Sequence, residues 1–440
     1  MDPRLWIGLD LGTSSTKACA FNEEGQLVAM TSVAYPLLQP EPLAAVLDPE
    51  QVLKATEKAL RELRQTTSEE WAAIGISTAM HSLLLLDQQY LPLSPIYTYA
   101  DGRPASVMDQ FSEQQLRQFN RYTGTPVHPM SPLLQILWLR QHYSTLFQQA
   151  AYFADIKSFL CHRWTVDGLV LDYSLASATG LFELDANDWY TPALEIAQIK
   201  PEQLPKLVPS TQVLNIRPDL ARAWKIEDVP LVIGASDGCL ANLGSGLMTS
   251  GGVAMTVGTS GAVRATHQAG LLDTEATLFN YHLYDDYLVC GGATNNGGKV
   301  LEWAYNTFAH GYGDIGELVQ AALSIPKPEL HFQPYLFGER APIWDAAATA
   351  GFQGLRAHHG PLEMTRAILE GITDNLIFIL HQLDGAIGPS TKIHLSGGLA
   401  KSELWRKMVA NKSDREVVLA ETEQASAKGA AMMARFARSD

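Results

Sequence analysis

Two short segments of this chain carry the same small, hydroxyl-rich turn. Residues 7–17 read IGLDLGTSSTK, and residues 253–263 read VAMTVGTSGAV. Each runs from an apolar stretch through Gly-Thr-Ser into a second apolar stretch, the pattern of a β-hairpin whose turn bears no bulky side chain. Such a turn suits phosphate, which is held by backbone N–H groups and needs neighbours small enough for the backbone to approach. In the first copy Thr13 and Ser14 add hydroxyls and Lys17 adds a cation. Asp10 precedes that turn at the end of its strand, where a carboxylate can hold Mg²⁺ through water, because Mg²⁺ takes oxygen ligands and keeps several waters. Neither turn has the GxxxxGK[ST] spacing of a Walker P-loop. A single Gly-Thr turn is commonly structural; two with matching flanks point to phosphate.

Asp237 lies in GASDGCLANLGSG, directly after an apolar strand and just upstream of the second turn. Its small neighbours would let an incoming hydroxyl reach the carboxylate, so it suits the base of a phosphoryl transfer. The same residue also suits the start of a helix, and its surroundings alone leave both readings open. Met80 and His81 end another apolar strand in STAMHSLLLLD, where a histidine is commonly structural. Asp101 and Arg103 in YADGRP could form a simple turn, and Met130 in HPMSP could be core packing. Gly397-Gly398, after KIHLS, would let the backbone approach a flat ligand or a phosphate tail.

The elements that must position these residues alternate between strand and helix. Residues 50–66 place Val52, Ala55, Ala59, Leu60 and Leu63 on one helical face. Strands are expected over 71–77, 83–87, 228–233, 287–292 and 392–396. Helices are expected over 131–149 (amphipathic), 296–309, 361–385 and 425–436. The Gly/Ser-rich GSGLMTSGG near 245–250 marks a boundary between two similar α/β domains, 1–247 and 248–440. At 440 residues the chain is too long for one ordinary core. Its 47 acidic against 32 basic side chains, net −15, repel nucleic acid and anionic lipid surfaces. No apolar run approaches the ~18 residues of a membrane span, and no signal peptide opens the chain. The four cysteines form no CxxC pair and suit buried thiols in a reducing compartment, so the cytoplasm is the expected location.

Together these blocks resemble the FGGY carbohydrate kinases over essentially the whole chain. The match rests on IGLDLGTSSTK, on GASDGCLANLGSG with VAMTVGTSGAVR, on AGFQGLRAHHGPLEMTRAILEG (350–371) and on LSGGLAKSELW with ASAKGAA. Within the family, AMHSLLLLD, YADGR, TGTPVHPMSP, GGATNNGG and PYLFGERAPIWD look most like gluconokinases. The resemblance implies two ribonuclease-H-like (actin/sugar-kinase) domains with a central ATP and substrate cleft. It implies that Asp10, Thr13, Ser14 and Lys17 face the ATP phosphates and metal, with Thr259 doing so from the other domain. It further implies that Gly298, Gly398 and Ser402 line the nucleotide, that Asp237 is the catalytic base, and that Met80, His81 and Met130 line the sugar pocket. Gln135 departs from the family, which usually carries Lys there. The implied reaction is ATP- and Mg²⁺-dependent phosphorylation of a sugar or sugar acid, D-gluconate first. A xylulose or other ketose or polyol kinase is the alternative, and an actin-like ATPase or an inactive sugar sensor is more remote. Arg103, His81, His128 and Arg340 are the candidates to meet a substrate carboxylate. The sequence leaves a homodimer open.

Overall fold

The structure, a computed structural model, describes residues 4–248, 251–268, 270, 277–420 and 424–438. The chain forms two compact units: Met1–Gly246 with Asn280–Val289 and Gln424–Asp440, and Leu247–Phe279 with Cys290–Glu423. A single cut at 247 therefore does not describe the chain, because two later segments fold with the first unit. Thr249 and Ser250 of the boundary stretch lie outside the described residues.

The first unit begins with the expected hairpin, β1 (Arg4–Leu11) and β2 (Ser15–Phe21), followed by β3 (Leu27–Ala34). Next comes α1 (Pro49–Thr66), whose N-cap Asp48 accepts from the Gln51 N–H at 2.9 Å and whose Val52, Ala55, Ala59, Leu60 and Leu63 are buried. β4 (Glu70–Thr78) is buried from Trp71 to its end, as a central strand covered on both faces requires. α2 (Pro132–His142) differs from the expected amphipathic helix over 131–149. Pro132 through Leu139 are all buried, and the helix ends before Tyr143, ahead of a separate turn at Ser144–Gln149. A helix with apolar residues on every side has no solvent face to present. α3 (Ile156–Trp164), β5 (Val213–Leu214), β6 (Leu231–Ser236) and α4 (Asp237–Gly244) complete the framework. The sheet order is β5-β6-β4-β1-β2-β3, with β1, β4 and β6 parallel.

A second six-stranded sheet repeats this plan. It contains β7 (Gly252–Val257), β8 (Gly261–His267), β9 (Phe279–Tyr284) and β10 (Tyr287–Thr294). Helices α5 (Gly298–Phe308), α6 (Ile315–Ser324) and α7 (Pro361–Ile387) lead to β11 (Lys392–Ser396), α8 (Glu403–Ser413) and β12 (Glu416–Leu419). The order is β9-β10-β8-β7-β11-β12. Both sheets thus contain a hairpin closed by the Gly-Thr-Ser turn, a neighbour beyond its second strand, and parallel strands beyond its first. Each unit has its own apolar core, one around Ile7, Leu9, Leu60 and Ile74, the other around Met255, Ile372, Leu380 and Trp405.

The final helix, α9 (Ala425–Phe436), packs in the first unit against α4, β1 and β4. The fit is close enough to exclude side chains. A Cβ on Gly8 would stand 1.9 Å from the Ala427 carbonyl oxygen, one on Gly75 2.0 Å from that of Ala430, and one on Gly244 1.9 Å from that of Ala425. Among the described residues, no helix is long and apolar enough to cross a membrane.

Candidate active site

In the first unit the carboxyl ends of three parallel neighbours, β1, β4 and β6, bring the chemistry together. Asp10 pairs in register with Lys17 across the hairpin and with Ser77 on β4. The Ser77 hydroxyl donates to Asp10 Oδ1 at 2.8 Å. Burial pushes the Asp10 carboxyl above its ordinary value, against the hydrogen bond from Ser77 and the field of Lys17, which both pull it down. A half-buried carboxylate in that state suits a cation beside it. The described residues contain no group of three or more His, Cys, Asp or Glu that could cage a metal. The Asp10 carboxyl and the Ser77 hydroxyl are oxygen donors, the kind Mg²⁺ takes.

The turn itself is held from one side. The Gly12 N–H donates to the Ser15 carbonyl at 3.0 Å. Tyr35 takes two turn carbonyls, Ser14 through its backbone N–H (3.0 Å) and Gly12 through its hydroxyl (2.6 Å). Thr13 is half-buried and Ser14 exposed. Lys17 Nζ donates to Gln424 Oε1 at 3.1 Å, at the threshold of α9.

Asp237 is the first residue of α4, and Ser236 is the N-cap. The Asp237 carboxylate accepts from the Gly238 N–H at 2.7 Å, and its own carbonyl accepts from the Ser426 hydroxyl on α9 at 3.1 Å. The strand that delivers it is clamped from behind. Fully buried Lys157 on α3 donates to Asp172 at 2.7 Å and to the Ala235 carbonyl at 3.0 Å. Ser236 meets Ser174, hydroxyl to hydroxyl, at 3.0 Å. Nothing local distinguishes a lysine that will be buried, so the Lys157–Asp172 pair is not legible from the chain alone.

Met80 and His81 leave the end of β4. His81 is buried with φ 63°, a left-handed conformation costly for a residue with a Cβ. Its Nδ1 donates to the Ala178 carbonyl at 2.6 Å, which leaves Nε2 to accept from the Tyr281 hydroxyl at 3.4 Å. Met80 is half-buried, and Met130, just before α2, is buried. The candidates for a carboxylate partner fare unevenly. The Arg103 guanidinium is engaged by Asp101 and Glu41 and lies over the Trp138 and Tyr97 rings. His128 Nδ1 accepts from the Met130 N–H at 3.3 Å, so the proton of the neutral ring sits on Nε2. Arg340, in the second unit, donates to the Thr294 carbonyl at 3.1 Å.

In the second unit one pocket of about 640 Å³ gathers Thr259, Gly298, Gly398 and Ser402, the four residues expected at ATP from this part of the chain. That volume lies within the roughly 300–1,000 Å³ of clefts that enclose small ligands. The Gly298 N–H donates to the Gly258 carbonyl at 2.7 Å, and the Lys299 N–H to that of Thr259 at 3.2 Å. The amino end of α5 thus sits on the turn. Gly297 permits that approach, since a Cβ there would meet the Ser260 and Gly258 carbonyl oxygens at 2.7 and 2.9 Å. Of the Gly397-Gly398 pair, Gly397 is demanded by the backbone: its φ is 90° and a Cβ would stand 2.3 Å from the Val257 oxygen. Gly398 has open space where its Cβ would be. Ser402 also caps α8, accepting from the Trp405 N–H at 3.3 Å.

The chain matches the model of the FGGY carbohydrate-kinase N-terminal domain over residues 5–244 and that of the C-terminal domain over residues 253–438. It belongs to the FGGY family of carbohydrate kinases. The gluconokinase of Bacillus subtilis (strain 168) is 37% identical over 447 residues, covering 98% of this chain and 87% of that protein. The crystal structure of gluconate kinase from Lactobacillus acidophilus superposes with a TM-score of 0.93 at 34% identity, covering 99% of this chain and 89% of that one. The ligand-bound xylulose kinase from the same species matches with a TM-score of 0.93 at 35% identity and the same coverage.

The FGGY kinase pocket also contains residues that the sequence reading passed over. Lys299 lines it, with Nζ 4.1 Å from the centroid of the Phe337 ring, and burial holds its amine below the ordinary lysine range. Glu302 on α5 and Gln320 on α6 line it too. Lys299 directly follows ATNNGG, and that position was the available signal.

Proposed function

We propose that this kinase transfers the γ-phosphoryl group of ATP to O6 of D-gluconate, giving 6-phospho-D-gluconate and ADP. The acceptor assignment rests on the 37% identity to a gluconokinase over nearly the whole chain. The mechanism rests on Asp237, a half-buried carboxylate at the start of α4 among small residues. Asp237 takes the proton of the acceptor hydroxyl as O6 bonds to the γ-phosphorus and the bond to the β-γ bridging oxygen breaks, leaving ADP. Lys17 and the donors of the first turn offset charge on the transferred group, and the pocket bearing Thr259, Gly298, Gly398 and Ser402 takes the nucleotide. Mg²⁺, when bound beside Asp10, would neutralise phosphate charge. Four free, buried cysteines support a cytoplasmic setting.

Xylulose is the second reading, favoured by the 35% identity and equal superposition of a xylulose kinase. ADP release measured across gluconate, xylulose, ribulose and glycerol decides between them. The highest kcat/KM is expected for gluconate; a higher value for xylulose replaces the acceptor, and equal release without any sugar removes the kinase reading. Asp237→Asn is expected to lower kcat by about 10²–10⁴ while ATP still binds. Turnover near wild type would defeat the base assignment.

A further inference from the structure

Gln135 occupies an unusual place. It lies on α2, is fully buried, and its Nε2 stands 3.3 Å from the His81 carbonyl oxygen, 3.1 Å from that of Thr98 and 3.3 Å from that of Met130. These carbonyls belong to three separate segments: the turn after β4, the residue just before the YADGR block and the HPMSP block. A carboxamide has two N–H protons, so three acceptors must share two donors. Its Oε1 is buried and has no hydrogen-bond partner among the described residues. Reversing the amide would set oxygen against three carbonyl oxygens, so the network fixes the orientation. One further observation shows what the tie restrains. His81 is held in the left-handed region, a conformation that persists only where its surroundings enforce it. Its ring is anchored by the Ala178 carbonyl and its backbone carbonyl by Gln135.

We propose that Gln135 is a positioning residue for the acceptor side of the site, setting His81 and Met130 by holding their backbone carbonyls, and that this place is shaped for a donor of three protons. This rests on the reading that His81 and Met130 face the sugar. Gln135 itself touches no substrate; its solvent-inaccessible amide acts through the segments it joins. Removing the donor takes a partner from each of the three carbonyls, of which Thr98's still accepts from the Asp101 N–H at 3.1 Å, and releases the strained turn at His81. A lysine ammonium, with three donors and no acceptor, would match the carbonyls and remove the orphaned oxygen.

Two variants of the full-length kinase test this, Gln135→Met, of similar length without a donor, and Gln135→Lys. For Gln135→Met, KM for the preferred sugar is expected to rise about tenfold while KM for ATP stays within about twofold. Gln135→Lys is expected to keep both constants within about twofold of wild type. Amide hydrogen exchange without substrate supplies a readout that does not depend on which sugar is used. In Gln135→Met, protection should fall at 79–83, 98–101 and 128–131 and stay unchanged on β7 and β8, while Gln135→Lys restores it. Parallel rises in both KM values, unchanged exchange, or a Gln135→Lys enzyme no better than Gln135→Met would each overturn the proposal. If Gln135→Met does not fold, Gln135→Lys decides: wild-type exchange and sugar KM support the three-donor place, and loss of either overturns it. Should the sugar panel fail while exchange responds as expected, the acceptor reading falls and the tie made by Gln135 stands.

Discussion

The two Gly-Thr-Ser turns share a backbone plan and divide in chemistry. In both, the residue two before the turn glycine meets a serine on the adjacent parallel strand. Ser77 donates to Asp10 at 2.8 Å, and Thr256 meets Ser396, hydroxyl to hydroxyl, at 2.9 Å. In both, the turn glycine's N–H closes the loop at 3.0 Å. The differences lie in what each turn carries and what covers it. Asp10 faces Lys17 across the first hairpin and Thr256 faces Ala262 across the second, so only the first presents charges of both signs. Tyr35 satisfies the first turn's carbonyls, whereas the amino end of α5 satisfies the second's. A repeated scaffold thus supports a charged turn in one unit and an uncharged, helix-backed turn in the other. The hairpin plan was common property; the side chains it carries, and a second turn closed one residue sooner, made the roles diverge.

The largest expected break in this comparison is at the shared strand position. Asp10→Asn should lower kcat by on the order of 10² or more, as loss of several kcal/mol of charge stabilisation implies. Thr256→Val should cost far less, and kcat measured across a magnesium titration separates the two. The same Asp10→Asn enzyme, without ligands, should melt above wild type. Burial raises the Asp10 carboxyl, so its ionised form is disfavoured in the folded state at neutral pH, and removing the charge removes that penalty. A lower melting temperature would show that Ser77 and Lys17 outweigh burial.

A second test contrasts Gly8 with Ala254, which hold equivalent positions on β1 and β7. Gly8→Ala should destabilise by about 1–3 kcal/mol or more in urea unfolding, because its Cβ would collide with the backbone of α9. Ala254→Gly should cost roughly 0.5–1 kcal/mol, the entropic penalty of glycine within a regular element. Equal effects would mean that α9 yields readily. The smallest effect is expected at Gly398→Ala. Its Cβ meets nothing in the protein, so unfolding should be unchanged while KM for ATP rises about threefold where the nucleotide packs there. An unchanged KM would place the nucleotide away from Gly398.

Much of this was legible before any coordinates. Both hairpins, the central strand from 70 to 78, the capped helix after Asp48 and the helix carrying Glu363 all follow local rules of alternation, turn chemistry and capping. Asp237 at a strand-to-helix junction was equally local. The helix at 132–142 misled because apolar residues around its full circumference carry no periodic signal. The hold of Asp101 and Glu41 on Arg103 was not legible, because Glu41 lies 62 positions away in the chain.

By itself, then, the sequence determined the repeated turns, their hydroxyls, the carboxylates Asp10 and Asp237 at strand ends, and the family these imply. Each is written in fewer than a dozen consecutive residues, within reach of steric and hydrogen-bonding preferences that act locally. Tertiary structure alone decided that α9 returns to the first unit, where Ala425, Ala427 and Ala430 press their carbonyls onto glycines of α4, β1 and β4. It alone decided that Lys157 and Asp172 clamp the strand bearing Asp237, and that Gln135 ties three segments together. Those contacts join residues far apart in the chain. The free energy that selects them, burial of apolar surface and pairing of buried polar groups, exists only once the units have closed around them.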